Sequence, residues 1–223
     1  MFLDSLTEIA RSGMPMAEKI ELVLFDMDNV LCTYDAHARA SRLAEFSGGT
    51  AADIYRAIWG SGFERLGDNG TLSRQEYLRA FGERIGHALS LADWLEARRV
   101  SMTPDPAMLE IAERLRGYVD VAVLTNNTEL VVDHIDVLCP ELRPLFGSRL
   151  YASARFRAAK PDVACYRRCL AALGARPEAV LFVDDLAENV AGAREAGLHG
   201  HHFRSVEGLQ TELKRHGLLF SGG

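Results

Sequence analysis

The chain has 223 residues, 48% of them apolar and 25% charged, which is the composition of a globular protein and excludes a disordered, collagen-like or fibrous one. That length suits one large domain or a domain with a smaller insert, and it is enough to bury a sizeable core. With 25 basic against 31 acidic residues the formal charge is -6, and no run of Lys or Arg supplies the electrostatic footprint that nucleic acid or an anionic membrane surface requires.

The stretch from Met1 to Lys19 carries Asp4, Glu8, Arg11 and Glu18 without a sustained apolar run, so it reads as no signal peptide. The longest apolar stretch falls far short of the roughly 20 residues a helix needs to cross a bilayer. Cytoplasmic residence is the resulting expectation. Ile20–Phe25 then reads as a buried strand, apolar with hardly any alternation, as suits a parallel strand covered on both faces. From about Thr33 to Met102 no strand is evident and helical signals recur: Ala36–Phe46, Thr50–Trp59 with Thr50 as cap, Ser73–Gly86 and Leu91–Val100. Ser73 followed by Glu76 is a capping box, in which each side chain satisfies a free amide of the first turn. Gly60, Gly62, Gly67 and Gly70 loosen the middle of this helical stretch.

A strand–helix rhythm begins after it. Asp105–Pro106 opens a helix through Met108, Ile111 and Leu115 that closes at Gly117, and Val119–Leu124 is the second buried strand. Thr128 caps a helix running towards Leu138, and Arg149–Ala152 is a weak strand. Pro161–Asp162 starts a helix ending at Gly174, Ala179–Val183 is the fourth strand, Glu188–Ala196 is a helix closed by Gly197, His201–Phe203 is an edge strand, and Ser205–Arg215 is the last helix. This alternation predicts an α/β fold: a Rossmann-like, mostly parallel sheet with right-handed crossovers, built from residues 1–32 and 103–223, and a helical domain inserted after the first strand over residues 33–102. Four cysteines, Cys32, Cys139, Cys165 and Cys169, are too few and too irregular for a disulfide scaffold. Cys165 and Cys169, four apart on one helix, offer half a metal site or a pair of buried thiols, and buried thiols are the expectation.

Polar residues gather at the carboxyl ends of the apolar strands, where open parallel sheets bind their ligands. After the first strand stand Asp26 and Asp28, two carboxylates projecting to the same side and able to serve one reacting centre or one cation. The second strand ends in Thr125-Asn126-Asn127, a hydroxyl and two amides placed to donate to a phosphate oxygen beside a helix start. Lys160 precedes the helix begun by Pro161. Asp184-Asp185 closes the fourth strand; adjacent acids repel unless a cation, a lysine or solvent relieves them, and a hard cation such as Mg2+, which needs only one or two protein carboxylates, is the natural occupant. The run His199-Gly200-His201-His202 straddles the edge strand, where alternation sends neighbours to opposite faces, so it reads as ordinary edge residues.

The order Asp26-Met27-Asp28, Thr125, Lys160, Asp184-Asp185 resembles the haloacid dehalogenase-like hydrolases, and the resemblance runs from about Ile20 to Phe203. The stretches Lys160-Pro-Asp-Val-Ala-Cys-Tyr166 and Asn189-Val-Ala-Gly-Ala-Arg-Glu-Ala-Gly197 are similar to members with a helical cap after the first strand. Asn29-Val30-Leu31 looks like the branch that includes sugar-1-phosphate phosphatases; the commoner family pattern has Gly-Thr where Asn29-Val30 stands, and Asn is among the residues that tolerate the positive φ such a turn demands.

The resemblance implies a division of labour. Asp26 would be the nucleophile that forms an aspartyl-phosphate, and Asp28 the acid for the leaving alcohol and then the base for water. Thr125, Asn126 and Lys160 would hold the phosphoryl oxygens. Mg2+ would sit on Asp26, the Asp28 backbone carbonyl and Asp185, with Asp184 close behind through water. Asp28 favours phosphoryl chemistry, since in this family the carbon–halogen enzymes lack the second aspartate. The expected substrate is a small phosphate ester. A phosphosugar mutase and a catalytically silent binding relative are the alternatives, whereas a response-regulator receiver would present its acidic pair first and its phospho-acceptor on a middle strand. Tyr34, Asp35, His37, Trp59 and Arg65 are candidates for the mouth of the site, and monomer and homodimer stay equally open.

Overall fold

A computed structural model describes residues 19–218; the reading of the stretch that begins at Met1 falls, apart from Lys19, outside the described residues. In chain order the elements are β1 (Leu22–Phe25), β2 (Cys32–Tyr34), α1 (Ala36–Ser47), α2 (Ala51–Tyr55), α3 (Glu64–Asp68), α4 (Arg74–Ile85), α5 (Leu91–Arg99), β3 (Met102–Pro104), α6 (Pro106–Leu115) and β4 (Asp120–Thr125). They continue with α7 (Glu129–Asp133), α8 (Ile135–Leu138), α9 (Leu142–Phe146), β5 (Leu150–Ala152), α10 (Val163–Leu173), β6 (Val180–Asp184), α11 (Ala187–Glu195), β7 (His199–His202) and α12 (Val206–Arg215).

Five strands form a parallel sheet in the order β5, β4, β1, β6, β7. The near-continuous apolar character of its central strands has a direct cause: both faces are covered. Along β1, Val23 and Phe25 enter one core with Val121, Val123, Leu181 and Val183, while Leu22 and Leu24 enter the other with Ala122, Leu124, Val180 and Phe182. The chain fills one side of β1 with β4 and β5, then crosses to the other with β6 and β7, so the order reverses at β1 and a crevice opens at its carboxyl end.

Three departures from the sequence-based expectation sit at the base of the insert, within a helix and at the edge strand. The stretch from Thr33 to Met102 is not free of strand at its ends: β2 and β3 pair antiparallel, Cys32 opposite Pro104 and Tyr34 opposite Met102, and close the insert like a short ribbon. Three residues each are too few to impose an alternating pattern. The helix expected from Thr128 to Leu138 breaks into α7 and α8 at His134, whose φ of -115° lies outside the helical range. The edge strand β7 begins two residues earlier than expected, at His199. Cys165 and Cys169 are buried in the core beneath the sheet as free thiols.

Within the insert, Phe63, Tyr77, Phe81 and Trp94 are buried ring against ring, with centroids 5.4 to 6.2 Å apart. Arg39 lies buried among them, 5.0 Å from the Trp94 ring, and reaches Glu64 at 3.7 Å. Side-chain contacts join the helices between β2 and β3 to the segments that follow β4 and β5. Ser153 Oγ donates to the Asp68 carbonyl at 2.6 Å, and Arg74 pairs with Glu129 and Asp133. No helix among the described residues is long and apolar enough to cross a membrane.

Gly192 lets α11 lie directly over the loop that carries Lys160: a β-carbon there would fall 2.2 Å from the Pro161 carbonyl oxygen, which is backbone and cannot swing aside. Gly192→Ala should therefore cost about 1–3 kcal/mol, and a chain of this size should melt about 2–4 °C lower for each kcal/mol. Thermal unfolding followed by circular dichroism checks this, and an unchanged melting temperature would show that the loop yields freely.

Candidate active site

The backbone leaves β1 at Asp26, whose amide still donates to the Val183 carbonyl at 2.8 Å, so this carboxylate is held by the ladder itself. The next residues turn sharply: the Leu31 and Cys32 amides both return to the Met27 carbonyl, and Asn29 takes φ 62°, the left-handed conformation that Asn accommodates well. That turn places Asp26 and Asp28 at the crevice.

Lys160 arrives from the loop before α10. Its ammonium is buried 2.8 Å from Asp26 Oδ1 and 2.7 Å from Asp184 Oδ2. Burial opposes this charge, but Asp26 and Asp184 outweigh it and hold the lysine above its ordinary value. The backbone of Lys160 is clamped by Asn126, which accepts from its amide at 2.9 Å and donates to its carbonyl at 2.8 Å. Asp184 is fully buried and fully engaged: Oδ1 accepts from the Leu186 amide and Asn189, and Oδ2 from Asn189 and Lys160. Asp185, half-buried, has its carboxyl raised by burial and by the neighbouring Asp184.

On the opposite side Asp28 accepts from Asn127 Nδ2 at 3.0 Å and from Arg98 Nη2 at 2.6 and 2.9 Å, and Asn127 also donates to Thr125 Oγ1 at 2.8 Å. A cleft of about 690 Å3 is lined by Arg65, Asp68, Asn69 and Thr71, which lie between β2 and β3 in the chain, and by Asn126, Lys160 and Asn189, which follow the strands of the sheet. The Asp68 carboxyl is pushed well above the usual range by burial and by Glu64.

Carboxylate oxygens of Asp26, Asp184 and Asp185 all lie within 4.8 Å of one another. One ammonium balances only part of this charge, so the donor set suits a hard cation that takes oxygen ligands. With both oxygens of Asp184 already spent on Lys160, Asn189 and Leu186, the free ligand atoms belong to Asp26 and Asp185.

All seven residues singled out in the sequence, Asp26, Asp28, Thr125, Asn126, Lys160, Asp184 and Asp185, converge here. Of the five mouth candidates only Arg65 lines the cleft. Asp35 caps α1, His37 stacks on Tyr55, Trp59 lies beneath Arg39, and Tyr34 lies under the Arg98 guanidinium. Three participants carried too little signal for a role to be assigned: Asn189, whose place in the Asn-Val-Ala-Gly stretch was visible but whose target was not; Asn127, visible only as one more donor after the second strand; and Arg98, which reads as part of a solvated helix end.

Burial, more than any other influence, pushes the Asp26 carboxyl up from 3.8 to about 8; Lys160 counters it and the neighbouring acids Asp184 and Asp28 add to it. A group that binds its proton more tightly when folded loses stability as pH rises between the unfolded and folded values, here from about pH 4 to about pH 8. Lys160, raised above its ordinary value, stays charged throughout that window. In chelator the protein should therefore melt at steadily lower temperature from pH 5 to pH 8, and Asp26→Asn should flatten that slope; parallel slopes would contradict the assignment.

Comparison with known proteins bears on the fold and the family. The family described as haloacid dehalogenase-like hydrolase matches residues 20–197. A curated relative, phosphatase MT3486 of Mycobacterium tuberculosis, is 29% identical over 91% of this chain and 98% of its own. Among solved structures, a HAD-like family hydrolase of Porphyromonas gingivalis superposes with a TM-score of 0.74 at 23% identity, covering 88% of this chain and 98% of its own. A HAD family enzyme of Bacteroides thetaiotaomicron in complex with magnesium and inorganic phosphate gives 0.70 at 19% identity, covering 83% and 94%. The four motif elements, their places on the sheet and the match over most of the length lead to one conclusion: the chain belongs to the haloacid dehalogenase-like hydrolases.

Proposed function

We propose that the protein is a Mg2+-dependent phosphatase that hydrolyses a small phosphorylated metabolite, of the sugar phosphate class, through an aspartyl-phosphate on Asp26. The observation that carries this reading is the convergence of Asp26, Asp28, Lys160 and the Asp184–Asp185 pair on one crevice at the carboxyl end of β1. The phosphatase relative and the magnesium and phosphate complex of the Bacteroides enzyme support it.

In the first half-reaction an Asp26 oxygen attacks phosphorus, the bond to the leaving oxygen breaks, and Asp28 gives that oxygen a proton. In the second, water attacks phosphorus, Asp28 takes the proton of the water, and the bond to Asp26 breaks to release orthophosphate. Lys160 and Thr125 would hold the phosphoryl oxygens as charge spreads over them, with Asn126 fixing the lysine. Asp26, the Asp28 carbonyl and Asp185 would hold Mg2+, which supplies positive charge that keeps Asp26 ionised and offsets the phosphoryl charge. Residues 33–102 would act as a cap on a core of residues 1–32 and 103–223, shielding the intermediate from unproductive water.

Hydrolysis of an activated aryl phosphate, followed with Mg2+ and with chelator, tests this. The parent should release phenol only with Mg2+, and Asp26→Asn, nearly isosteric, should lose about a thousandfold or more. Asp185→Asn should raise the Mg2+ concentration needed for activation without abolishing the fold. Undiminished turnover in Asp26→Asn would overturn the mechanism. An inactive parent that interconverts phosphosugar isomers would replace hydrolysis by transfer to a second hydroxyl.

A further inference from the structure

Arg98 belongs to α5, inside the insert, and it is 1% exposed. Its Nη2 touches both oxygens of Asp28, at 2.6 and 2.9 Å, across 70 positions of sequence. The guanidinium is stacked 4.1 Å from the centre of the Tyr34 ring, on the strand that leads into the insert, so its direction is set from one face. Its Nε is buried without a hydrogen-bond partner among the described residues. Burying a guanidinium with a donor unsatisfied is costly, and the charge-assisted bond to Asp28 offsets that cost. Asn127 grips the same carboxylate from the sheet domain and ties it to Thr125.

An aspartate that must meet first a leaving oxygen and then a water needs a fixed direction, which a lone side chain with two free torsions lacks. We propose that Arg98 is the positioning residue of Asp28, so that the insert supplies part of the acid–base apparatus as well as a cover for the cleft. This rests on the role proposed above for Asp28. Proton transfer by Asp28 is then productive only while α5 is seated against the β1 turn, and it falters when that contact is removed.

The experiment compares kcat/KM for an alkyl phosphate, whose alcohol needs a proton to leave, with that for an aryl phosphate whose acidic phenol leaves without one. The full chain is assayed with Mg2+ as parent, Asp28→Ala, Arg98→Met and Arg98→Lys, with thermal melts on each. Asp28→Ala should lose about a hundredfold or more on the alkyl ester and far less on the aryl ester. Arg98→Met should lose on both but about tenfold more on the alkyl ester, as a share of that acid contribution. Arg98→Lys should fall between it and the parent, because an ammonium keeps the charge and loses the planar fork and the stacking. The lysine variant carries the test if Arg98→Met does not fold. If Asp28→Ala itself fails to discriminate, the acid–base reading fails and this inference falls with it. If Asp28→Ala discriminates while the Arg98 variants lower both esters alike, Arg98 is structural only and the inference alone is overturned.

Discussion

Lys160 between Asp26 and Asp184 is the contact on which the rest of the site depends. A buried ammonium is tolerable only when carboxylates surround it, and two carboxylates this close are tolerable only when something positive stands between them. Each of the three therefore exists in its observed position because of the other two. The arrangement still leaves excess negative charge once Asp185 is counted, and this is the electrostatic reason why a hard cation belongs beside Asp26. Burial above all, with the neighbouring acids Asp184 and Asp28 adding to it, raises the Asp26 carboxyl towards neutrality, so a cation held beside it would also favour the ionised form that the proposed nucleophile needs.

Backbone arrangement is what brings the triad together. Asp26 and Asp184 end adjacent strands, β1 and β6, in a parallel register that pairs Phe25 with Val183 and sets the two carboxylates side by side. Lys160 lies on an irregular loop, and its position is over-determined: Asn126 binds its amide and carbonyl from one side, and α11 presses on Pro161 from the other at Gly192. Asn189, one turn into α11, fixes Asp184 in turn. Hydrogen-bonded amides therefore do for the loop what ladder pairing does for the strands, and reaction geometry can be held on elements that move little.

How much of this was legible in the sequence follows from the range of the interactions involved. The strands β1, β4 and β6 were readable because burial on both faces leaves an unbroken apolar run, and the chemistry-bearing residues were readable because each lies immediately beyond such a run. Asn29 could be judged from its type alone, and it does adopt the left-handed conformation. By contrast, Arg98 and Arg39 look like the polar faces of amphipathic helices. Only the tertiary fold shows Arg39 enclosed by Trp59, Phe81 and Trp94, and Arg98 directed at Asp28. The ribbon of β2 and β3 is set by pairing across the whole insert, and a three-residue strand carries no periodic signal of that. Among the mouth candidates Arg65 lines the cleft, whereas Tyr34 and Trp59 are half-buried against the arginines Arg98 and Arg39, and His37 stacks on Tyr55.

The two buried arginines place the insert in a different light from a simple lid. A cover needs an apolar underside and a hinge; this insert instead carries costly buried charges, one of which is compensated by a residue of the sheet domain. Withdrawing α5 from the β1 turn would strand Arg98 without its carboxylate and leave Asp28 with Asn127 alone, so the seated arrangement is favoured by the same contact that orders the site. Arg39, paired with Glu64 and Tyr34 inside the insert, keeps its partners whether or not the insert is seated. The charge that holds the insert together and the charge that joins it to the chemistry are thus separate. Substitution at Arg98 can therefore loosen the coupling of the two parts while the aromatic cluster around Arg39 keeps the insert itself folded.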